Sequence, residues 1–233
     1  MSEQTLDGKG LGRRRLLVAG IGTVGGVIVG PGTGLLGRER AAALPAEPGP
    51  LRPASRMTEN GWPAVAETPA HVVEGCGAEV RLLAGDVATV LLHVARRYHY
   101  ELWELEQPDL VGHIASATSG APFESNHRSG TALAIRPTSF PLHVSGGYYP
   151  HELIVVRDIL ADCEGVVTWG GDQSPAKESH FQIAVAPGDP ALARVAAKIR
   201  GWNAQSDVGA GATDPLAPGR RAAATALEAQ QAA

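Results

Sequence analysis

Two histidines, His127 and His180, stand at the edges of short apolar runs with glycines close by. The first lies in Ser125-Asn126-His127-Arg128-Ser129-Gly130-Thr131-Ala132-Leu133-Ala134-Ile135-Arg136. The second ends Trp169-Gly170-Gly171-Asp172-Gln173-Ser174-Pro175-Ala176-Lys177-Glu178-Ser179-His180 and opens Phe181-Gln182-Ile183. Imidazole is the commonest protein metal ligand, and a strand fixes the direction in which it points. Two imidazoles far apart in sequence, each at the mouth of a strand, suit a metal site on a sheet. A catalytic zinc takes three protein ligands and keeps one position for water, whose pKa it lowers. His127 and His180 supply two, and the third has to come from His143, His151, Glu124, Asp172 or Glu178. Glu178 lies two residues before His180, on the same face of a strand, so it can coordinate or act as the general base. Lys177 beside it would act by its charge. Alternation along residues 131–136 puts Gly130, Ala132, Ala134 and Arg136 on one face, where Arg136 would hold a carboxylate in bidentate fashion. The other reading of Arg136 is a surface residue at a strand end.

The remaining polar candidates are weaker in chemistry. Trp169–Asp172 reads as a turn in which the glycines allow unusual backbone angles and Asp172 bonds neighbouring amides. Ser125 has no G-x-S-x-G around it and no base placed by sequence, which argues against a serine nucleophile. His71, His93, His99 and His113 read as surface or hydrogen-bonded core histidines.

Together the two segments resemble the signature of the zinc-dependent D-alanyl-D-alanine carboxypeptidase superfamily, which includes the vancomycin-resistance carboxypeptidases and phage L-alanyl-D-glutamate endolysins. That family carries S-x-H-x-x-G-x-A-x-D and, further on, W-G-G-D followed by an acid three residues before a final H-F and then E or Q. Ser125, His127, Gly130 and Ala132 match the first half; Trp169, Gly170, Gly171, Asp172, His180, Phe181 and Gln182 match the second. Asn60-Gly61-Trp62-Pro63 is similar to the start of actinobacterial members, and the resemblance spans roughly residues 58–202. It implies a small antiparallel sheet with helices packed on it and zinc held by His127 and His180. It also implies peptidoglycan stem peptides, or other cell-wall peptides, as ligands, with Ser125 and Asp172 as candidate substrate contacts beside Arg136, which the strand alternation supplies. Three family positions depart. The Asp ligand is replaced by Ala134, the acid three residues before the final His is Lys177, and no Arg occurs from Asp109 to Glu124. The resemblance therefore implies either a degenerate, non-catalytic member of the fold or a zinc peptidase with a rewired site and Glu178 as base.

The elements that would position these residues are legible from periodicity. Asp86–Tyr100 predicts a helix, with Val87, Val90, Leu91, Val94 and Ala95 inward and Asp86 as N-cap. Arg96, Arg97 and His99 lie near its end, where cations favour the helix dipole; the alternative is a carboxylate clamp. Leu102–Leu105 reads as a strand leaving it. Pro150–Asp162 predicts a second helix and Pro190–Trp202 a third. Val166–Trp169 and Phe181–Val185 read as strands. Helices alternating with short strands predict an α+β domain.

Residues 1–43 read as a twin-arginine export signal: Arg13-Arg14-Arg15-Leu16-Leu17, an apolar Gly/Val/Ile stretch, then Ala41-Ala42-Ala43 as a small-residue cleavage site. The alternative is an uncleaved membrane anchor, although glycines and Pro31 make the run weakly hydrophobic for the ~20 residues a span needs. Either way the expected location is outside the cytoplasmic membrane, with contact to the membrane only through this segment. Residues 44–57 read as a Pro/Ala-rich spacer. Residues 203–233 read as an Ala/Gly-rich tail, disordered to weakly helical because it has little apolar face to dock. Twenty basic against 24 acidic residues, and no basic stripe with interleaved aromatics, argue against nucleic acid as a partner. Cys76 and Cys163 are compatible with a disulfide in an exported protein, or with two buried thiols.

Overall fold

The structure, a computed structural model, describes residues 56–116, 120–205 and 207–232. The export signal and most of the spacer lie outside the described residues. The fold is α+β. A four-stranded antiparallel sheet has the order β3 (Leu110–Val111), β4 (Ala132–Ile135), β6 (His180–Ile183), β5 (Val167–Trp169). A two-stranded ribbon, β1 (Ala70–Val72) and β2 (Glu79–Arg81), lies against the β3 side. Among the described residues the α-helices are α1 (Asp86–Glu101), α2 (Pro150–Asp162), α3 (Pro190–Asn203) and α4 (Pro218–Gln231).

Register decides which side chains share a face. Ala132 pairs with Gln182, Leu133 with Phe181 and Ala134 with His180. Val167, Thr168 and Trp169 pair with Ile183, Gln182 and Phe181. One face thus carries Leu133, Ile135, Phe181, Ile183, Val167 and Trp169, all in the apolar core with α1 and α3. The other carries Ala132, Ala134, His180 and Gln182 and is covered by a 3₁₀ segment, Pro122–Ser129. Both faces of β4 and β6 are buried; β4 reads as a continuous apolar run, whereas β6 places His180 and Gln182 on the site face.

Helices α2 and α3 begin at prolines whose fixed φ suits a first helical turn, and Asp189 caps α3 by accepting from the Ala191 amide at 2.8 Å. Gly85, with φ 86°, takes the cap position of α1; Asp86, expected there, is the first helical residue. No strand forms at Leu102–Leu105. The chain turns sharply after α1, and the Leu105 amide donates to His99 Nδ1 at 3.0 Å instead of a ladder. Arg97 does not serve the helix end. It is fully buried, donating to Asp158 at 2.7 Å and Asp162 at 2.8 Å and pairing with Glu101.

The tail expected to be disordered contains α4, docked on α2. Its apolar contribution is small, Ala224 and Leu227, and polar groups hold it. Arg220 donates to Asp158 at 2.7 Å and Asp162 at 2.9 Å, Arg157 meets Glu228 at 3.1 Å, and Gln231 reaches the Val167 carbonyl at 3.1 Å. Cys76 and Cys163 are both free thiols rather than a disulfide. Burial pushes Cys163 up to about 12, leaving it an inert apolar residue. Among the described residues no helix is long and apolar enough to cross a membrane.

Candidate functional site

His127 sits in the 3₁₀ segment and His180 opens β6. Their rings meet nearly perpendicular, with centroids 5.1 Å apart, and Phe123 packs on His180 at 4.8 Å. The segment is closed by Gly130 at φ 70°; a Cβ there would fall 2.8 Å from the Leu83 amide nitrogen, so only glycine lets the chain turn into β4. Both rings are buried.

The hydrogen bonds fix which nitrogen of each ring carries a proton. His127 Nδ1 lies 2.7 Å from the Gly112 carbonyl, which can only accept, so Nδ1 is the donor and Nε2 keeps its lone pair. For His180 the tautomer is set through three residues. The Asn60 amide donates to Asn126 Oδ1 at 3.1 Å, so Asn126 Nδ2 is the donor end, serving Glu59 at 3.0 Å and Gln182 Oε1 at 2.7 Å. Gln182 Oε1 therefore accepts, and His180 Nε2, 2.9 Å from it, donates. The lone pair of His180 is on Nδ1, which is buried and has no hydrogen-bond partner among the described residues. A buried polar atom left so costs about 1–3 kcal/mol.

Burial, reinforced by the Lys177 ammonium, lowers the His127 imidazole to about 4 against the pull of the Gly112 carbonyl. Burial likewise takes His180 well below its ordinary value, and His127 adds to this. Both rings are neutral at neutral pH, the state in which imidazole is a ligand. Lys177 is paired with Glu124 at 2.6 Å, at the outer edge of the site. Burial raises the Glu124 carboxyl, but the hydrogen bond from Lys177 and the amides of Gly120 and Ala121 outweigh it and hold it below its usual range.

The other candidates lie elsewhere. Ala134 is directly opposite His180 on the same face, and its methyl offers no ligand atom. Glu178, the candidate base, has both oxygens engaged by loop amides, from Gly146 at 2.7 Å and Gly147 at 2.8 Å. Arg136 leaves the strand alternation because its φ is 53°. Its guanidinium stacks on Trp103, 4.6 Å from the ring centroid, and stands 3.9 Å from Asp109. Asp172 does not bond neighbouring amides; it forms a two-point ion pair with Arg157 at 2.5 and 2.6 Å. Ser125 Oγ accepts from the Glu59 amide at 2.9 Å and serves as a local brace. His151 stacks on Tyr149, and the His143 amide binds the Ala176 carbonyl. Among the described residues no three His, Cys, Asp or Glu side chains converge as a metal-binding group. The donor set thus falls one anion short of a catalytic zinc site, and no step through zinc is derived from it.

Sequence reasoning missed Gln182 and Asn126 as the residues that fix the His180 tautomer, Gly112 as the acceptor for His127, and the Glu124–Lys177 pair. The neighbourhood of Asn126 and Gln182 to the two histidines was the available signal. Protein-family models, curated proteins and solved structures were compared with the chain, and none matches it.

Proposed function

We propose that this chain is an exported, cell-wall-associated binding protein, built on the D-Ala-D-Ala carboxypeptidase-like fold, that engages peptidoglycan stem peptides without efficient catalysis. The observation that carries this reading is the pairing of Ala134 with His180: a methyl group stands where the resemblance implies an anionic zinc ligand. Two further contacts support it. Lys177 occupies the place of the acid and is neutralised by Glu124, and Glu178 is committed to the amides of Gly146 and Gly147. A general base must reach the proton it removes, and a carboxylate holding a loop together does so only by giving that loop up.

The second reading, a zinc peptidase with a rewired site, is favoured by one observation, the buried lone pair on His180 Nδ1, which has no hydrogen-bond partner among the described residues. One experiment separates them. The full chain is incubated with stem pentapeptide with and without added zinc, cleavage is followed by mass spectrometry, and binding is followed by calorimetry. The proposal expects binding with no released D-alanine. Zinc-dependent release that is lost in His127→Ala supports the second reading, and absence of any binding refutes the first.

A further inference from the structure

A groove runs along α1, between the turn of the β1–β2 ribbon and the end of α3. Two adjoining cavities of about 380 and 400 Å³ make it up, and Glu74, Arg96 and Asn203 border both. The α1 positions that line it, Gly85, Ala88, Thr89, Leu92, Arg96 and Tyr100, recur every three or four residues and so form one helix face. At ~1.5 Å per residue the stretch from Gly85 to Tyr100 is about 22 Å long. Roughly six or seven residues of extended chain, at ~3.3 Å each, would span it. Helix α1 covers the core face of the sheet, whereas His180 lies on the other face, and the groove shares no residue with the histidine site.

Arg96 stands where the two cavities meet. Its side chain is 11% exposed; one terminal nitrogen donates to Glu74 at 2.7 Å, the other donates to Asn203, and Nε is buried with no partner among the described residues. A guanidinium is a fixed fork of five donors that suits a carboxylate held at two points. Glu74 engages one nitrogen only, and its side chain is 71% exposed, so this ion pair is screened by water and contributes little. Its position is nevertheless fixed. The turn is seated on the end of α1 at Gly75, φ 101°, where a Cβ would fall 2.7 Å from the Tyr100 hydroxyl oxygen. Glu74 is the one carboxylate among the described residues that line the groove, against Arg96 and Arg200; Arg200, at one end, pairs with Asp86 at 2.9 Å. Apolar groups flank Arg96 on both sides: Val72 and Leu92 in one cavity, Tyr100 and Val208 in the other. Val72, Tyr100 and Val208 are all exposed to solvent.

We infer that this groove binds an extended peptide segment with apolar residues on either side of a glutamate or aspartate, whose carboxylate takes Arg96 in place of Glu74. Glu74 is then a resident stand-in for the ligand's acid. The length of the groove and its two apolar ends favour a peptide over a small anion, which would cover only the centre. A nearly buried arginine beside an exposed tyrosine is the kind of anchor that dominates binding surfaces. This inference is independent of the reading of the histidine site.

The test is fluorescence anisotropy on the full chain with a dye-labelled, end-blocked heptapeptide of alanine and valine around a central glutamate, and with its central-glutamine counterpart. The glutamate peptide should bind about 10-fold or more tightly, and the difference should vanish in Arg96→Gln. Glu74→Gln, at an exposed position that tolerates substitution, should tighten binding of the glutamate peptide about 3-fold or more, because the resident carboxylate no longer competes. A purely structural Glu74–Arg96 pair gives no such gain, so this variant decides the matter even if Arg96→Gln does not fold. End-blocked glutamate alone should bind at least about 10-fold more weakly than the heptapeptide, since it reaches neither apolar end. Equal affinity for the two heptapeptides, or a Glu74→Gln variant that binds no more tightly than the parent, overturns the inference. Displacement of the heptapeptide by an equal concentration of inorganic phosphate identifies a plain anion site and overturns the peptide assignment.

Discussion

Ala134→Asp tests the site most directly. The residue is 1% exposed and directly opposite His180. Without metal, the new carboxylate is buried with Lys177 already committed to Glu124. An uncompensated buried charge costs about 3 kcal/mol. For a domain of this size each kcal/mol moves Tm by roughly 2–4 °C, so the apo variant should melt about 6–12 °C below the parent. With zinc the carboxylate becomes the third ligand. Free zinc at 100 times Kd returns about 2.7 kcal/mol, which restores nearly all of the loss. The parent, lacking the anion, should gain less than about 2 °C from the same zinc. The assay is thermal unfolding by circular dichroism in EDTA and in zinc. Hydrolysis of stem peptides should not return with the metal, because Glu178 remains on the Gly146 and Gly147 amides and position 177 is a lysine. The reasoning is refuted if zinc leaves the Tm of the variant unchanged, or stabilises the parent by as much.

Arg220→Ala removes one of two arginines that neutralise Asp158 and Asp162 and releases α4. With the Arg220 side chain 30% exposed, the loss should be about 2 kcal/mol, below that of a fully buried pair, read from urea melts. Gly112→Ala puts a Cβ 2.1 Å from the Arg81 carbonyl oxygen. It should destabilise by about 3 kcal/mol and free the His127 ring, visible as a shifted imidazole resonance. Stability should fall in acid in two stages, measured by denaturant melts at pH 7, 5 and 3. Burial lowers His93, so the unfolded state binds the proton first, and its contribution, complete above about pH 6.5, shrinks as pH falls. Burial raises Asp162, but the His93 hydrogen bond and the charges of Arg97 and Arg220 outweigh it and hold the carboxyl at about 2. Its contribution, on the order of 2 kcal/mol, is present above about pH 4 and lost as pH falls towards 2, and Asp162→Asn should flatten that stage.

How far the sequence carried depends on which forces set each feature. Helix α2 was legible to its end residues because a proline at its start and a 3.6-residue apolar rhythm both act locally. The strand after His127 and the one opened by His180 were legible because short apolar runs next to turn residues are also a local signal. Helix α4 was not, because its docking is polar: Arg220, Glu228 and Gln231 find partners on α2 and β5, distant in sequence, and its apolar face is nearly limited to Ala224 and Leu227. Arg136 was misplaced because alternation assumes extended backbone, and a positive φ at a non-glycine residue has no sequence signature. For Glu178, spacing gave the correct neighbourhood and the wrong partner, since the amides that claim it come from a loop about thirty residues upstream. The His180 tautomer depends on Asn60, Asn126 and Gln182, which only the fold brings together.

The sheet divides the labour of the domain between its two faces. Leu133, Ile135, Phe181 and Ile183 face the apolar core and hold the fold, while Ala132, Ala134, His180 and Gln182 face the site. Because the faces alternate residue by residue, a change at Ala134 leaves the core untouched, so the chemistry of the site can change without loss of the framework. An acid at 134 would make the folded state depend on a metal to offset its burial. A methyl group there, Gln182 on His180 and Glu124 on Lys177 leave His180 Nδ1 as the one buried site-face atom without a partner among the described residues. The cost of burying the site-face polar groups without metal is therefore concentrated at that one atom.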